Sequence, residues 1–200
     1  MTDPSAPTPA PAPAPAVPGR LAPFLAQWDY VIEVLTERLA GLTDDEYLWE
    51  PAPDCWTVRP NPAGGRNLVD TEVWAPNADP APPRTIAWSM GHLGSGVAIR
   101  ADWLVGAHAA SAEDFDWPLT ADAGIRFMFD GLALWRNGLA TMTDADLDTV
   151  GRSAYPGGLD PDLPLIEIVW WVAKELLWHS AEIWFVRDLY AARAADRRST

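Results

Sequence analysis

The sequence predicts an all-α protein, a four-helix bundle with a long irregular loop between its first and second helices. Three observations carry this. Four stretches place apolar residues at three- and four-residue steps, the period of an amphipathic helix. No segment alternates convincingly with the period of two that a half-buried strand shows. Proline and glycine crowd the segments between, so each helix must stop before the next begins.

Residues 1–19 alternate Ala and Pro and read as a disordered tail, because proline removes backbone donors and favours extended conformations. Residues 20–195 are read as the bundle. The first helix starts near Leu21, with Phe24, Leu25, Trp28, Val31, Ile32, Leu35 and Leu39 as its stripe and Gly41 as its stop. Thr43 to Glu46 has the pattern of a capping box opening one short turn. Its Tyr47, Leu48 and Trp49 are expected under the bundle.

Residues 50–84 hold eight prolines, from Pro51 to Pro83, together with Gly64 and Gly65, which forbids a long helix. Trp56 and Trp74 suggest that this connection packs on the bundle. The second helix begins at Thr85. Ile86, Met90, Leu93, Val97 and Leu104 form its core stripe, and Trp88, His92, Ile99 and Trp103 a neighbouring row. Gly91, Gly94 and Gly96 each cost about 1 kcal/mol relative to alanine. Close approach of another backbone, or room for a ligand, would justify them. They are not a phosphate-cradling loop, since no strand precedes them.

The third helix carries Ile125, Met128, Phe129, Leu132, Trp135, Leu139 and Met142, and Thr143 to Asp146 repeats the start signal. Residues 151–164 are loop. The last helix spans Leu163 to Ala194. Its expected core stripe is Ile166, Val169, Trp170, Ala173, Leu176, Leu177, Ser180, Ile183, Trp184 and Tyr190. Beside it runs a second row: Ile168, Trp171, Glu175, His179, Glu182 and Val186. A faint repeat relates Leu39–Glu46 to Leu139–Asp146, one hundred residues on, which makes the second and last helices counterparts in two half-bundles.

Two hundred residues with 48% hydrophobic content suffice for one domain. A net charge of −14 and a pI near 4.4 argue against nucleic acid and anionic membrane surfaces as partners. The apolar run Leu165–Val186 carries five ionisable groups, too many for a membrane span. The single Cys55 cannot form an internal disulfide, and residues 1–19 lack the basic start and apolar core of a secretory signal. A cytoplasmic protein is the expectation.

Glu175 and His179 lie four apart, so both can point at one cation, and His92 from a facing helix can supply a third ligand. Imidazole with carboxylate suits zinc, with nickel, iron or manganese as alternatives. From spacing alone, a hydrogen-bonded polar network serves as well. Glu182 reads as a partner behind the ligands, a proton acceptor or an ion-paired carboxylate. Trp88, Trp103, Trp171 and Trp178 are the aromatics that could wall a pocket. His108 is expected exposed and inert, and Cys55 buried. Arg59, Arg84 and Arg100 are read as surface groups rather than anion-binding ones.

Three segments resemble the DinB-like (DinB/YfiT-like) metalloenzyme family: Leu39–Pro51 (LAGLTDDEYLWEP), Thr85–Leu93 (TIAWSMGHL), and His179–Ile183 (HSAEI) with Arg187–Tyr190 (RDLY). The resemblance spans nearly all of residues 21–192. It implies a four-helix bundle of unusual connectivity and a metal held by one histidine of the second helix and an HxxxH pair of the last. His92 and His179 match; Glu175 stands where many members have histidine. In this it is similar to the branch of mycothiol-dependent maleylpyruvate isomerase, where a His/Glu/His triad binds zinc. The resemblance thus implies a divalent-metal site at His92, Glu175 and His179, with Glu182 as a candidate proton acceptor. It also implies a thiol-dependent (mycothiol-type) transferase or isomerase acting on a small molecule. A hydrolase with the same ligands, and a non-catalytic bundle binding a hydrophobic ligand or partner helix, are the alternatives. A homodimer through a helix face is compatible with either.

Overall fold

The computed structural model describes residues 17–70 and 82–199. Most of the Ala/Pro tail and Trp74 therefore lie outside the described residues. Within them the protein is all-α, with four long helices: α1 (Ala22–Leu39), α3 (Ile86–Val105), α4 (Ala121–Leu139) and α6 (Leu165–Ser199). Two short helices, α2 (Asp44–Tyr47) and α5 (Asp144–Asp148), follow α1 and α4. Helix α3 packs on α4 and α6, and α1 packs on α6 and α4, which closes the bundle.

Thr43, Thr85 and Thr143 each cap a helix, accepting hydrogen bonds from the backbone N–H groups of Glu46, Trp88 and Asp146. This satisfies donors that the first helical turn leaves without intrahelical partners. At Thr143 the capping box is complete, since Asp146 answers back. At Thr43 only the Thr43 half forms, because the Glu46 carboxylate is engaged by Arg187 of α6. Gly41 takes φ of 73°, the left-handed conformation expected after a helix end. Tyr47 is fully buried, and its hydroxyl donates to the Pro118 carbonyl at 3.0 Å.

The long connection contains a feature that the sequence reading did not include. Residues Val58–Arg59 (β1) and Leu68–Val69 (β2) form a two-stranded antiparallel pair. Each strand is two residues long, too short for a period to show. Asp70 fastens the pair by accepting from the Thr57 N–H at 2.9 Å and from Arg59. Trp56 then ties the loop to the start of α3: its N–H donates to the Pro83 carbonyl and its carbonyl accepts from the Thr85 N–H.

The three glycines of α3 have separate uses. At Gly91 an added Cβ would overlap the Trp117 ring. At Gly94 it would meet Phe127 and, at 3.0 Å, the Met128 Cα of α4, while a Cβ on Gly131 of α4 would overlap the Gly94 carbonyl oxygen. The two backbones are in contact there. Nothing lies within 4 Å of a Cβ built on Gly96, which borders open space beside His92. Gly131→Ala is expected to wedge α3 from α4 and cost about 1–3 kcal/mol, the usual penalty of overpacking; a urea denaturation curve measures it. Gly96→Ala should cost nothing comparable.

Helix α6 keeps half of its predicted core stripe, with Val169, Ala173, Leu176, Ser180 and Ile183 buried as expected. Leu165, Ile168, Val169, Val172, Leu176, Ile183 and Val186 are buried, whereas Trp170 and Leu177 stand in solvent. Apolar residues surround this helix, so periodicity alone places the core stripe about one residue out of phase. The helix also runs five residues past its predicted end. Among the described residues no helix is long and apolar enough to cross a membrane.

Candidate metal centre

His92 projects from α3, one turn beyond Trp88. Glu175 and His179 project from successive turns of α6, across the α3–α6 contact. One ligand atom from each lies within 4.8 Å of the other two. Glu175 Oε2 stands 3.3 Å from His179 Nε2 and 3.8 Å from His92 Nε2. Ligand atoms around a tetrahedral ion at about 2.1 Å are roughly 3.4 Å apart, so the residues fit one divalent cation. Two nitrogens and one oxygen leave a fourth position open.

Each candidate ligand is held from behind. The His92 ring stacks on Trp88, with centroids 4.9 Å apart and planes 9° from parallel. Trp88 is in turn fixed by its indole N–H, which donates to the Asp70 carbonyl at 2.7 Å. Lys174 Nζ sits 2.9 Å from Glu175 Oε1, which leaves Oε2 as the atom facing both imidazoles. Glu182 Oε2 accepts from His179 Nδ1 at 2.7 Å. That bond places the proton on Nδ1 of neutral His179 and turns the Nε2 lone pair toward Glu175. Glu182 itself accepts from Arg84 at 2.7 Å and from Ser89 at 3.4 Å. Glu182 is thus both an ion-paired carboxylate and a partner behind the candidate ligand His179, two of the readings expected for it.

The electrostatics follow from these contacts. Burial pushes the Glu175 carboxyl upward, but the facing groups of His179, His92 and Lys174 outweigh it and hold the group well below the usual carboxylate range. Burial pulls the His179 imidazole downward, but Glu175 and Glu182 outweigh that and raise it above an ordinary histidine. Burial likewise raises Glu182, and the bond and charge of His179 with the charge of Arg84 bring it below its ordinary value.

Trp88 and Trp171 wall the site; Trp103 and Trp178 do not. A cavity of about 40 Å³ lies beside His92 and Glu175, bordered by Gly96, Arg100 and Trp171. Trp103 donates to the Ala110 carbonyl and pairs with exposed His108, and Trp178 is exposed. Cys55 is buried, its thiol against the Ala52 carbonyl.

Two arginines read as surface groups are integral instead. Arg84 orients Glu182 and lies over the rings of Trp56 and Trp88. Its spacing of four to Trp88 and eight to His92 was the available signal. Arg100 is held between Tyr155 and Trp171 beside buried Asp160, where it fastens the 151–164 loop. Arg59 is the surface group expected, paired with Asp70 and Glu50.

Two imidazoles and a carboxylate brought together by facing helices of an all-α bundle define a group able to hold a metal ion. The chain matches the family model of the DinB superfamily over residues 27–183, and it belongs to that superfamily. No curated protein and no solved structure matches it significantly.

Glu182→Ala should leave the three candidate ligands in place and free His179 to turn. Metal affinity is expected to fall about 10–100-fold, the range for removing such an outer partner. Competition with a chromophoric chelator measures it.

Proposed function

We propose that this protein is a divalent-metal-dependent enzyme, with zinc as the first choice of ion. The observation that carries the reading is the convergence of His92 Nε2, Glu175 Oε2 and His179 Nε2, with Glu182 behind His179 and an open position beside them. A divalent ion held there supplies Lewis acidity and lowers the pKa of a bound water or thiol. The chain's own residues do the rest. Trp88 fixes the plane of His92, Lys174 restricts Glu175 to one oxygen, and Glu182 holds the proton on His179 Nδ1.

For the reaction we place transfer to or from a low-molecular-weight thiol first. Its support is the resemblance of the His92/Glu175/His179 set to the mycothiol-dependent branch. Hydrolysis is the second reading, and the size of the cavity beside Glu175 favours it: about 40 Å³ admits water but not a whole thiol cofactor.

Metal analysis of the purified protein is the first test, and one ion per chain is expected. Sub-stoichiometric metal under all conditions sinks both readings and leaves the non-catalytic bundle. Calorimetry of the loaded protein with mycothiol, glutathione and bacillithiol then separates them. Heat from one thiol supports transfer; silence from all three removes it and leaves hydrolysis.

Affinity for the ion should also rise with pH. The His179 pKa is raised, so below it a proton occupies Nε2 and must leave before an ion can bind. Chelator competition should show a gain of about tenfold per pH unit for each proton displaced, levelling off once the pH exceeds that pKa.

A further inference from the structure

Helix α6 has a second face that the metal centre does not use. Trp170, Leu177, Trp178, Phe185 and Leu189 are 54%, 39%, 59%, 63% and 38% exposed. At 3.6 residues per turn they share one side of the helix with exposed Ala181, over a length of about 28 Å. Single apolar residues in water are ordinary, but five large ones on one helix face, with only the charged Lys174 and Asp188 among them, mark an interaction surface.

We infer that this face is covered by α6 of a second copy, running antiparallel about a two-fold axis at Ala181. The pattern of the stripe is reciprocal about that residue. An antiparallel pair centred there sets against each other residues whose numbers add to twice 181. Phe185 then meets Leu177, Leu189 meets Ala173, and Trp170 meets Ala192. Ala181, at the centre, is small enough to let the two helix axes approach to about 8 Å.

Shape and charge agree with this register. A groove of about 370 Å³ runs between α1 and α6, lined by Phe24, Trp170, Ala173, Lys174 and Leu177. It is the groove that the second copy's Phe185 and Leu189 would enter, and each copy offers both groove and knobs, as a two-fold contact requires. Lys174 falls opposite Asp188. Each has a partner in its own chain, Glu175 at 2.9 Å and Arg38 at 2.7 Å, so the contact joins two existing pairs into one network. The five apolar side chains supply roughly 400–500 Å² per copy. That is more than half of the ~800 Å² per partner in a stable interface.

Light scattering of the full chain at micromolar concentration is expected to give twice the 21.9 kDa of one copy. Phe185→Glu and Trp178→Glu should each weaken the dimer roughly 30-fold or more, the loss of a central anchor, with helical circular dichroism unchanged. Because Cys55 is buried, Ala181→Cys should form an intermolecular disulfide readily under mild oxidation, since that position meets itself. Ala192→Cys, exposed on the same face, should not. A monomer at all concentrations overturns the inference, as does a dimer indifferent to both glutamate variants. Faster cross-linking through position 192 than through 181 overturns the register.

Discussion

His179→Ala should yield a folded protein that has lost its metal. The substitution removes the Nε2 ligand and disconnects Glu182 from the site. Affinity is expected to drop more than about 100-fold, beyond the range for outer partners, because a direct ligand is lost. The fold should survive, since each carboxylate left behind keeps a cation: Glu175 has Lys174 and Glu182 has Arg84. Elemental analysis of the purified variant, beside its far-ultraviolet circular dichroism, makes the measurement. Full metal content in a folded His179→Ala protein would show that the ion sits elsewhere.

The largest expected loss of stability lies about two helical turns beyond His179, at Arg187. Its Nε donates to Glu46 Oε1 at 2.7 Å and its Nη2 to Oε2 at 3.2 Å, a two-point contact with a carboxylate that is 6% exposed. Nη1 donates to the Arg38 carbonyl and to the Ala40 carbonyl, groups at the end of α1 that lack helical partners. One guanidinium thus joins α1, α2 and α6. Arg187→Met leaves Glu46 buried without its cation and is expected to cost about 3–5 kcal/mol, the range for breaking a buried pair. That is a large share of the ~5–15 kcal/mol that holds an ordinary domain. Replacing both members, as Glu46→Leu with Arg187→Met, should cost clearly less than the single change, because no charge is stranded. Denaturant titration of the two variants and the parent provides the comparison, and equal losses would refute the stranded-charge account.

What the sequence made legible was local. Thr43, Thr85 and Thr143 announced helix starts, Gly41 announced a stop, and the four-residue step from Glu175 to His179 put two ligands on one face. His92 needed a facing helix, which the faint half-repeat suggested. Other features depend on pairings between distant segments, and no local period encodes them. The Arg84–Glu182 contact spans 98 residues and the Arg187–Glu46 contact 141. Assignment of the α6 faces was half right, and its errors have a different cause. With tryptophan or leucine on nearly every side, and with the polar row of Glu175 and His179 turned toward His92 of α3 rather than toward solvent, only packing decides that Leu176 goes in and Leu177 stays out. The pair of two-residue strands was invisible because backbone hydrogen bonds around Asp70, rather than an alternating pattern, make it.

The cations behind the candidate ligands have a bearing on which ions the site would select. Glu175 is countered by Lys174 and Glu182 by Arg84, so with neutral imidazoles these four charged side chains sum to zero. A frame without net charge gives no general advantage to a divalent cation over water. Discrimination then rests on how well the donor atoms suit the ion. Two imidazole nitrogens and one carboxylate oxygen favour borderline ions such as zinc. Calcium and magnesium prefer all-oxygen shells, and two of the three protein donors here are imidazole nitrogens.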